Sequence, residues 1–258
     1  MRRLLTCSAV LTLLTLTLPL LAVPTESQAA GCPPDAVQSG STCIDRYEAS
    51  VWYIPAANTG LIRRVKVGRA TLAHLTAAGA IQLGLVAGDL AVTGCPLTGN
   101  GCTDVYAVSI PGVTPARFLS QFQAVAAARN AGKRLPSNAE WQAAALGTPD
   151  GAPCVVSGAG PGLTGTAACV SDTGAFDMVG NLWEWVADWT PRSTACPGWG
   201  GFSDDFMCLA GADTTDGPGA LRRGGGWDSG TTAGVFAVDG RLEPSIANFD
   251  DLGFRCAR

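Results

Sequence analysis

Histidine is nearly absent from this sequence: His74 is the single histidine in a chain of 258 residues. A zinc site built on imidazoles, or an iron site with two histidines and a carboxylate, needs more than one such ligand. The ten cysteines include no C-x-x-C pair, which also argues against zinc. Catalysis by a Cys–His or Ser–His–Asp arrangement would have to use His74 itself. His74 lies in a Leu/Ala-rich stretch, which is typical of a surface or core histidine.

Charged residues are also few. They make up 15% of the chain, against 47% hydrophobic residues, and the formal net charge is -4. Basic residues cluster only between Arg63 and Arg69, a pattern typical of a solvated strand or loop, so no nucleic-acid partner is predicted. The 33 glycines and 16 prolines indicate a loop-rich globule rather than a helical bundle. The length suits one large domain after removal of a targeting segment, with two small domains as the alternative.

Residues 1–30 have the features of a secretory signal peptide. Two arginines precede an apolar stretch, Ala9–Val23, and small residues that suit cleavage follow. The apolar stretch is too short for a membrane span, and no other part of the sequence is long enough for one. We therefore expect residues 31–258 to form a domain that is secreted or periplasmic. A lipid anchor on Cys32 is a minor alternative.

Nine cysteines follow the signal segment, and export predicts that most of them form disulfides. Neighbours along the chain suggest a local set of pairs: Cys32–Cys43, Cys95–Cys102, Cys154–Cys169 and Cys196–Cys208. Sequence alone leaves other connectivities open. Because nine is odd, one thiol remains, and under the local set it is Cys256.

Several segments predict regular structure. The alternating, β-former-rich stretch Cys43–Pro55 predicts a strand. Thr114 and Pro115 resemble a helix start, and apolar residues then recur at helical spacing as far as Gly132, which predicts the helix end. Ser137 and Glu140 form a capping-box pattern that opens a second short helix. A further short helix is expected near residues 71–81.

Four segments, taken in order, carry a family pattern. They are Asp45–Ser50 (DRYEAS), Gly132–Trp141 (GKRLPSNAEW), Asp177–Trp185 (DMVGNLWEW) with Asp188–Trp189, and Leu221–Trp227 (LRRGGGW) with Leu252–Arg255 (LGFR). In this order the chain resembles the sulfatase-modifying factor family, which includes the formylglycine-generating enzymes. The resemblance implies an α+β fold of C-type-lectin-like architecture, loop-rich and here stapled by disulfides. The first two segments also have a purely structural explanation, in packing and backbone geometry.

The third segment implies a calcium site. Calcium takes about six to eight oxygen ligands, and the matching positions in the family hold a structural calcium ion. Carried over, the ligands are the side chains of Asp177 and Glu184 and the carbonyls of Gly180 and Leu182, with Asp177 in place of the family carboxamide. The alternative is that Glu184 makes a buried hydrogen bond.

The fourth segment departs from the catalytic pattern. In the aerobic enzymes of the family, copper is held by two cysteines just after this turn, since Cu(I) prefers soft ligands. The corresponding positions here are Ser229 and Gly234, and no cysteine lies between Cys208 and Cys256. The family disulfide to the terminal GFRC segment also lacks a partner, because Ala128 stands at the matching helix position. We therefore expect no copper and name no catalytic residue.

Two functional hypotheses follow. The first is a non-catalytic module whose late loops bind a peptide, protein or glycan, as fold-level analogy with lectin-like relatives suggests. Its candidate contact residues are Trp227, Asp228, Ser229, Phe236, Asp239, Arg241, Asn248, Phe249 and Asp250. The second is a formylglycine-generating or related oxidase that acts on protein cysteine through a different metal site.

Overall fold

Short strands and short helices joined by long loops make up residues 31–258, the part of the chain that the computed structural model describes. The predicted signal peptide, residues 1–30, lies outside the described residues. The strands are β1 Ala36–Ser39, β2 Thr42–Asp45, β3 Ala49–Tyr53, β4 Ile81–Leu83, β5 Val105–Ser109, β6 Trp183–Thr190, β7 Met207–Cys208, β8 Gly219–Arg223, β9 Val238–Leu242 and β10 Leu252–Phe254. The helices are α1 Thr59–Lys66, α2 Leu72–Ala77, α3 Asp89–Val92, α4 Gln121–Asn130 and α5 Asn138–Ala145, with a 3-10 turn at Gly230–Thr232.

The strands form three sheets. β1 and β2 pair as an antiparallel hairpin, and β4, β3 and β5 form an antiparallel sheet in that order. The largest sheet has the order β10-β6-β8-β9-β7, with parallel pairs at its two edges and antiparallel pairs in its centre. The candidate site lies on the loops that leave this largest sheet.

The stretch predicted as one strand, Cys43–Pro55, forms two strands instead. The chain turns between β2 and β3, because the N–H of Arg46 donates to the carbonyl of Asp35 and the N–H of Tyr47 donates to Ser109 Oγ. β2 and β3 therefore join different sheets. The β-forming composition was interpreted correctly, but a single strand was wrong.

Helix α4 begins later than the sequence predicted. Thr114 does not cap it; Phe118 has a φ of 56°, which is not helical, and Ser120 forms a capping box with Gln123. The predicted end at Gly132 is confirmed, since the helix ends before it and Gly132 has a φ of 71°. A reciprocal side-chain cap thus overrode the Thr-Pro start signal.

Two other helices agree with the sequence in part or in full. Ser137 and Glu140 form the predicted capping box of α5, which carries the fully buried Trp141. The helix expected near residues 71–81 is shorter, because α2 ends at Ala77 and β4 starts at Ile81.

All four local disulfides predicted from the sequence are present: Cys32–Cys43, Cys95–Cys102, Cys154–Cys169 and Cys196–Cys208. Cys256 is the free cysteine among the described residues and is buried. The sulfur of Cys32 is engaged in its disulfide and is not available for the lipid that the minor alternative required.

The fold class is confirmed as α+β, loop-rich and stapled by disulfides. The main hydrophobic core packs the β3 sheet and the alanine-rich face of α4 against β6 and β10. A second core joins the β1–β2 hairpin, α5 and the largest sheet around Trp141 and Met178. Within residues 31–258, no helix has the length and apolar character of a membrane span.

Candidate functional site

The four motif segments converge on one buried guanidinium, that of Arg255. Arg255 is fully buried and donates to both carboxylate oxygens of Glu184 over 2.6 to 2.9 Å. It also donates to the main-chain carbonyls of Asp45, at 3.1 Å, and Phe176, at 2.7 Å. Trp141 Nε1 donates to Glu184 Oε2 at 2.7 Å. One residue from each motif segment therefore belongs to the same buried network.

Two more carboxylates, Glu48 and Asp177, are buried beside this ion pair. Glu48 accepts a main-chain N–H and the side-chain amide of Asn181, while Asp177 accepts the N–H of Gly165 at 2.8 Å. Burial raises the pKa of Asp177 to about 6. Burial and the charges of Asp177 and Glu184 raise the pKa of Glu48 well above its usual value. Three carboxylates around one guanidinium favour the uptake of a proton or a cation.

The predicted calcium ligands lie on the turn that leads into β6 and at the start of that strand: they are Asp177, Gly180, Leu182 and Glu184. Both oxygens of Glu184 already accept hydrogen bonds from Arg255 and Trp141. A guanidinium at this distance would repel a divalent ion that used the same carboxylate. As placed, Glu184 does not fit a calcium ligand, and its contacts match the alternative of a buried hydrogen bond. Calcium binding at this turn stays a prediction.

The GKRLP segment forms a second buried ionic cluster. Lys133 Nζ lies 2.7 Å from carboxylate oxygens of both Asp35 and Asp45. Burial raises the pKa of the nearby Cys256 thiol well above its usual value, and the charge of Asp45 adds to the rise. A thiol that is buried and held protonated is a poor nucleophile and a poor metal ligand. These contacts agree with the structural explanation of the first two motif segments.

The turn after β8 contains Ser229 and Gly234, the positions at which the resemblance places the copper cysteines. Ser229 Oγ accepts the N–H of Gly226 at 2.9 Å and so closes the turn. Gly234 packs directly on the carboxyl group of Asp205, and a Cβ at residue 234 would overlap that group. Asp205 is 3% exposed and accepts the N–H of Phe236 at 2.7 Å. The space for a side chain at residue 234 is therefore taken by Asp205.

Arg222 contacts several residues of the predicted ligand surface. Its Cζ lies 4.5 Å from the ring centroid of Trp183 and 5.7 Å from that of Phe249. It donates to Asp239 Oδ2 at 2.9 and 3.1 Å, and Arg241 donates to the same carboxylate. Burial would raise the pKa of Asp239, but Arg241 and Arg222 hold it below its usual value. Asp239 is fully buried, so it supports the two arginines rather than facing a ligand.

Two buried polar atoms beside Trp183 have unused hydrogen-bonding capacity. Arg222 Nη1 and Asp251 Oδ1 have no hydrogen-bond partner among residues 31–258, and Nη1 lies 3.8 Å from Asp251 Oδ2. Buried polar groups in proteins are normally hydrogen-bonded. These two atoms are therefore unsatisfied polar groups directly beneath this surface.

The remaining candidate contact residues lie on the neighbouring loops. Trp227 is half-buried and donates from Nε1 to the carbonyl of Asp250 at 3.4 Å. Asp228, Asn248 and Asp250 are exposed. The structure thus joins Phe249, Asp239 and Arg241 through Arg222, and joins Trp227 to the Asp250 loop.

Phe236 belongs to a different group. Its ring packs against Phe202 and Trp199, with centroid separations of 4.9 and 6.3 Å. Phe202 is 66% exposed, so this aromatic group reaches the surface. The backbone of Phe236 is tied to Asp205, which links the aromatic group to the Gly234 turn.

Sequence reasoning missed four residues of this surface. Trp183 and Arg222 stand inside the motif segments, where a buried tryptophan or a strand arginine suggests packing. Asp205 and Asp251 carry no local pattern, and only the fold shows that they face Gly234 and Arg222. A separate cleft of about 870 Å³ is lined by residues such as Arg46, Tyr47 and Arg69 and by none of the predicted contact residues.

Comparison with known proteins shows which family the chain is similar to. Residues 157–258 match the model of the sulfatase-modifying factor enzyme 1-like domain. This match supports the resemblance to the sulfatase-modifying factor family that the motif segments show. The third and fourth motif segments lie inside the matched range. The predicted fold of the formylglycine-generating enzyme type agrees with this match.

A formylglycine-generating enzyme of Thermomonospora curvata is 38% identical over 101 residues, which cover 29% of this chain and 33% of that protein. The chain thus spans about a third of this relative. Among solved structures, CarF has a TM-score of 0.42 at 16% identity, with 84% of this chain and 85% of that chain covered. PvdO from Pseudomonas aeruginosa has a TM-score of 0.42 at 19% identity, with 88% of this chain and 89% of that chain covered. The Major Tropism Determinant P3c variant has a TM-score of 0.40 at 24% identity, with 54% of this chain and 37% of that chain covered.

Proposed function

We propose that this sulfatase-modifying factor domain is an exported, non-catalytic module that binds a peptide, protein or glycan. The observation that carries the proposal is the surface around Arg222. There a guanidinium lies between two aromatic rings, and two buried polar atoms have no partner within residues 31–258. An aromatic floor with fixed hydrogen-bonding groups is the usual composition of a small recognition site.

The copper chemistry of the family is not supported by the residues present. Copper in its reduced state prefers thiolates, and the two relevant positions hold Ser229 and Gly234. Asp205 fills the space beside Gly234, and the hydroxyl of Ser229 is used inside the turn. The free thiol of the described residues, Cys256, is buried against an ionic cluster. None of these groups offers a soft ligand at the surface.

The surrounding loops suit recognition of a polar ligand. Trp227 and Phe249 supply apolar area at the rim, and Arg241 is 41% exposed at its side chain. Asp228 and Asp250 add acceptors that face solvent. Aromatic and arginine side chains dominate the energy of many binding surfaces. Because the same groups recognise peptides and sugars, the ligand class is an outcome of the test.

The binding proposal is tested by screening the purified protein on glycan and peptide arrays, followed by titration of each hit. The Trp227→Ala variant is expected to weaken a true hit by about tenfold or more. Trp189→Ala is the matched control, because Trp189 is 53% exposed and is not one of the candidate contact residues. Arrays without a hit, or hits that bind both variants equally well, would contradict the proposal.

Export is the second part of the proposal and rests on residues 1–30 and on four disulfides, which form in oxidising compartments. Expression of the full sequence in a bacterial host should place the protein in the periplasm or medium. Mass spectrometry should then show a chain that begins close to residue 30. A full-length chain retained in the cytoplasm with reduced cysteines would refute this part.

A second candidate function is oxidation of a protein cysteine, as in a formylglycine-generating enzyme. The 38% identity to such an enzyme over 101 residues favours it. The purified protein would be supplied with stoichiometric copper and a cysteine-containing peptide, and oxygen uptake and peptide mass would be followed. Product formation would establish this function. A peptide of unchanged mass would contradict it and favour the non-catalytic binding function.

A further inference from the structure

Three aspartates meet where the loop after α5 approaches the loop that the Cys196–Cys208 disulfide closes. One carboxylate oxygen each of Asp150, Asp204 and Asp205 lies within 4.8 Å of the other two. Asp150 precedes Cys154, and the other two precede Cys208, so each loop is anchored by a disulfide close to its aspartates. The cluster is separate from Asp177 and Glu184, the residues of the predicted calcium turn.

The negative charge of the cluster has no cationic partner in the described part of the chain. None of the ion pairs found in residues 31–258 includes Asp150, Asp204 or Asp205. Arg223 attracts Asp205 only weakly, because its guanidinium donates to carbonyl and amide oxygens elsewhere. Burial and the two neighbouring carboxylates raise the pKa of Asp150, and burial raises that of Asp205.

Asp205 gives an independent indication of a ligand. It is 3% exposed, and its Oδ2 accepts the N–H of Phe236 at 2.7 Å. Its Oδ1 is buried and has no hydrogen-bond partner within residues 31–258. Buried carboxylate oxygens are normally paired, hydrogen-bonded or bound to a metal. Oδ1 is therefore the oxygen of Asp205 with unused capacity to bind an ion.

We propose that Asp150, Asp204 and Asp205 bind a calcium ion. The donor set contains only hard carboxylate oxygens, which suit calcium or magnesium rather than zinc or copper. Asp150 and Asp204 are exposed, so water can complete the roughly six to eight ligands that calcium takes. Calcium accepts the irregular geometry of loop residues more readily than magnesium, which demands a near-ideal octahedron.

The ion would hold three loops together. Asp150 belongs to the loop after α5, and Asp204 and Asp205 belong to the loop before β7. Through the N–H of Phe236, Asp205 is also joined to the loop that contains Gly234. Calcium would therefore stabilise the edge of the candidate ligand surface, whether or not that surface binds the ligand proposed above.

The test is isothermal titration of calcium chloride into the purified protein after treatment with EDTA. Binding is expected with a Kd of about 1 mM or tighter, as in other surface calcium modules. Asp204→Asn removes one exposed ligand charge and should weaken binding by about tenfold or more. Asp216→Asn is the matched control, since Asp216 is an exposed aspartate that is not in the cluster, and it should leave the Kd unchanged.

Two further variants make the result decisive. Asp205→Asn should weaken calcium binding, and the exposed Asp204→Asn still decides the matter if this buried variant fails to fold. Asp177→Asn should leave calcium binding by the aspartate cluster unchanged, because Asp177 is not one of its three residues. The proposal is overturned if the unmodified protein binds no calcium at about 1 mM. The proposal is also overturned if Asp204→Asn binds calcium as tightly as the unmodified protein, or if only Asp177→Asn loses binding.

Discussion

The carboxyl group of Asp205 lies against the Cα of Gly234, in the space that a side chain at residue 234 would need. Close approach therefore disfavours a side chain at residue 234, whose φ is not in the left-handed region. The contact links a loop before β7 to the turn after β8. It also fills the space that the cysteine implied by the family resemblance would need.

Gly234→Cys should destabilise the protein, because the new side chain overlaps a buried carboxylate. Overpacking of this kind costs about 1 to 3 kcal/mol. Urea denaturation should show a lower midpoint with an unchanged slope. Ser229→Cys is the control and should change stability much less, because residue 229 is half-buried on a turn. A Gly234→Cys variant as stable as the parent would show that Asp205 moves aside freely.

Arg255→Lys should cost about 2 kcal/mol or more, because a single ammonium cannot replace the forked contacts to Glu184 and to two carbonyls. Thermal unfolding measures the effect. Arg134→Lys is the matched control, because the Arg134–Glu140 pair has an arginine side chain that is 51% exposed. Exposed pairs of this kind contribute about 1 kcal/mol or less. Equal losses in the two variants would contradict the role given to Arg255.

Asp177 should make stability depend on pH. Burial raises its pKa to about 6 in the folded protein, above the ordinary value of an aspartate, so the folded state holds the proton more strongly. The stabilising effect of protonation is complete below the unfolded pKa and is lost as the pH rises through about 6. Each unit of pKa difference corresponds to about 1.4 kcal/mol.

Asp177→Asn removes this titration and keeps an oxygen that can accept the N–H of Gly165. In EDTA, the variant should gain stability relative to the parent between pH 4 and 6, where the parent loses it. Chemical denaturation at a series of pH values measures the difference. A difference that is constant across this range would rule out a raised pKa at Asp177.

Asp239→Asn should lower stability by about 3 kcal/mol, because it leaves a buried arginine without its carboxylate. Arg241→Gln removes only the outer, exposed partner of the same carboxylate and should cost about 1 kcal/mol or less. The two melting temperatures, compared with that of the parent, measure the contrast. If Arg241→Gln were the more harmful change, Asp239 would not have the supporting role described above.

The sequence predicted features that depend on local chemistry. The capping box at Ser137, the helix end at Gly132 and the four short disulfide loops are all confirmed, since each is decided by residues close together in the chain. The start of α4 was wrong because two start signals competed and the Ser120 capping box prevailed.

The candidate site was harder to predict because its decisive contacts join distant residues. Asp239 was expected on a binding loop, but it lies on β9 with two arginines over it. Glu184 was predicted as a calcium ligand, and the hydrogen bond that it accepts from Arg255, in the final segment, gave no signal in the sequence. Asp205 gave no local signal, and its role depends on a glycine on another loop. Such contacts depend on how the fold brings distant segments together, and the local sequence around each residue does not predict them.

The last residues of the domain bond to partners that are made much earlier. β10 pairs with β6, the main chain of Arg258 pairs with that of Cys43, and Arg255 donates to the carbonyl of Asp45, 210 positions away. A ribosome-bound chain that still lacks residues 252–258 therefore leaves an edge of β6 unpaired and Glu184 without its cation. The interior of the domain therefore cannot close until residues 252–258 have been synthesised.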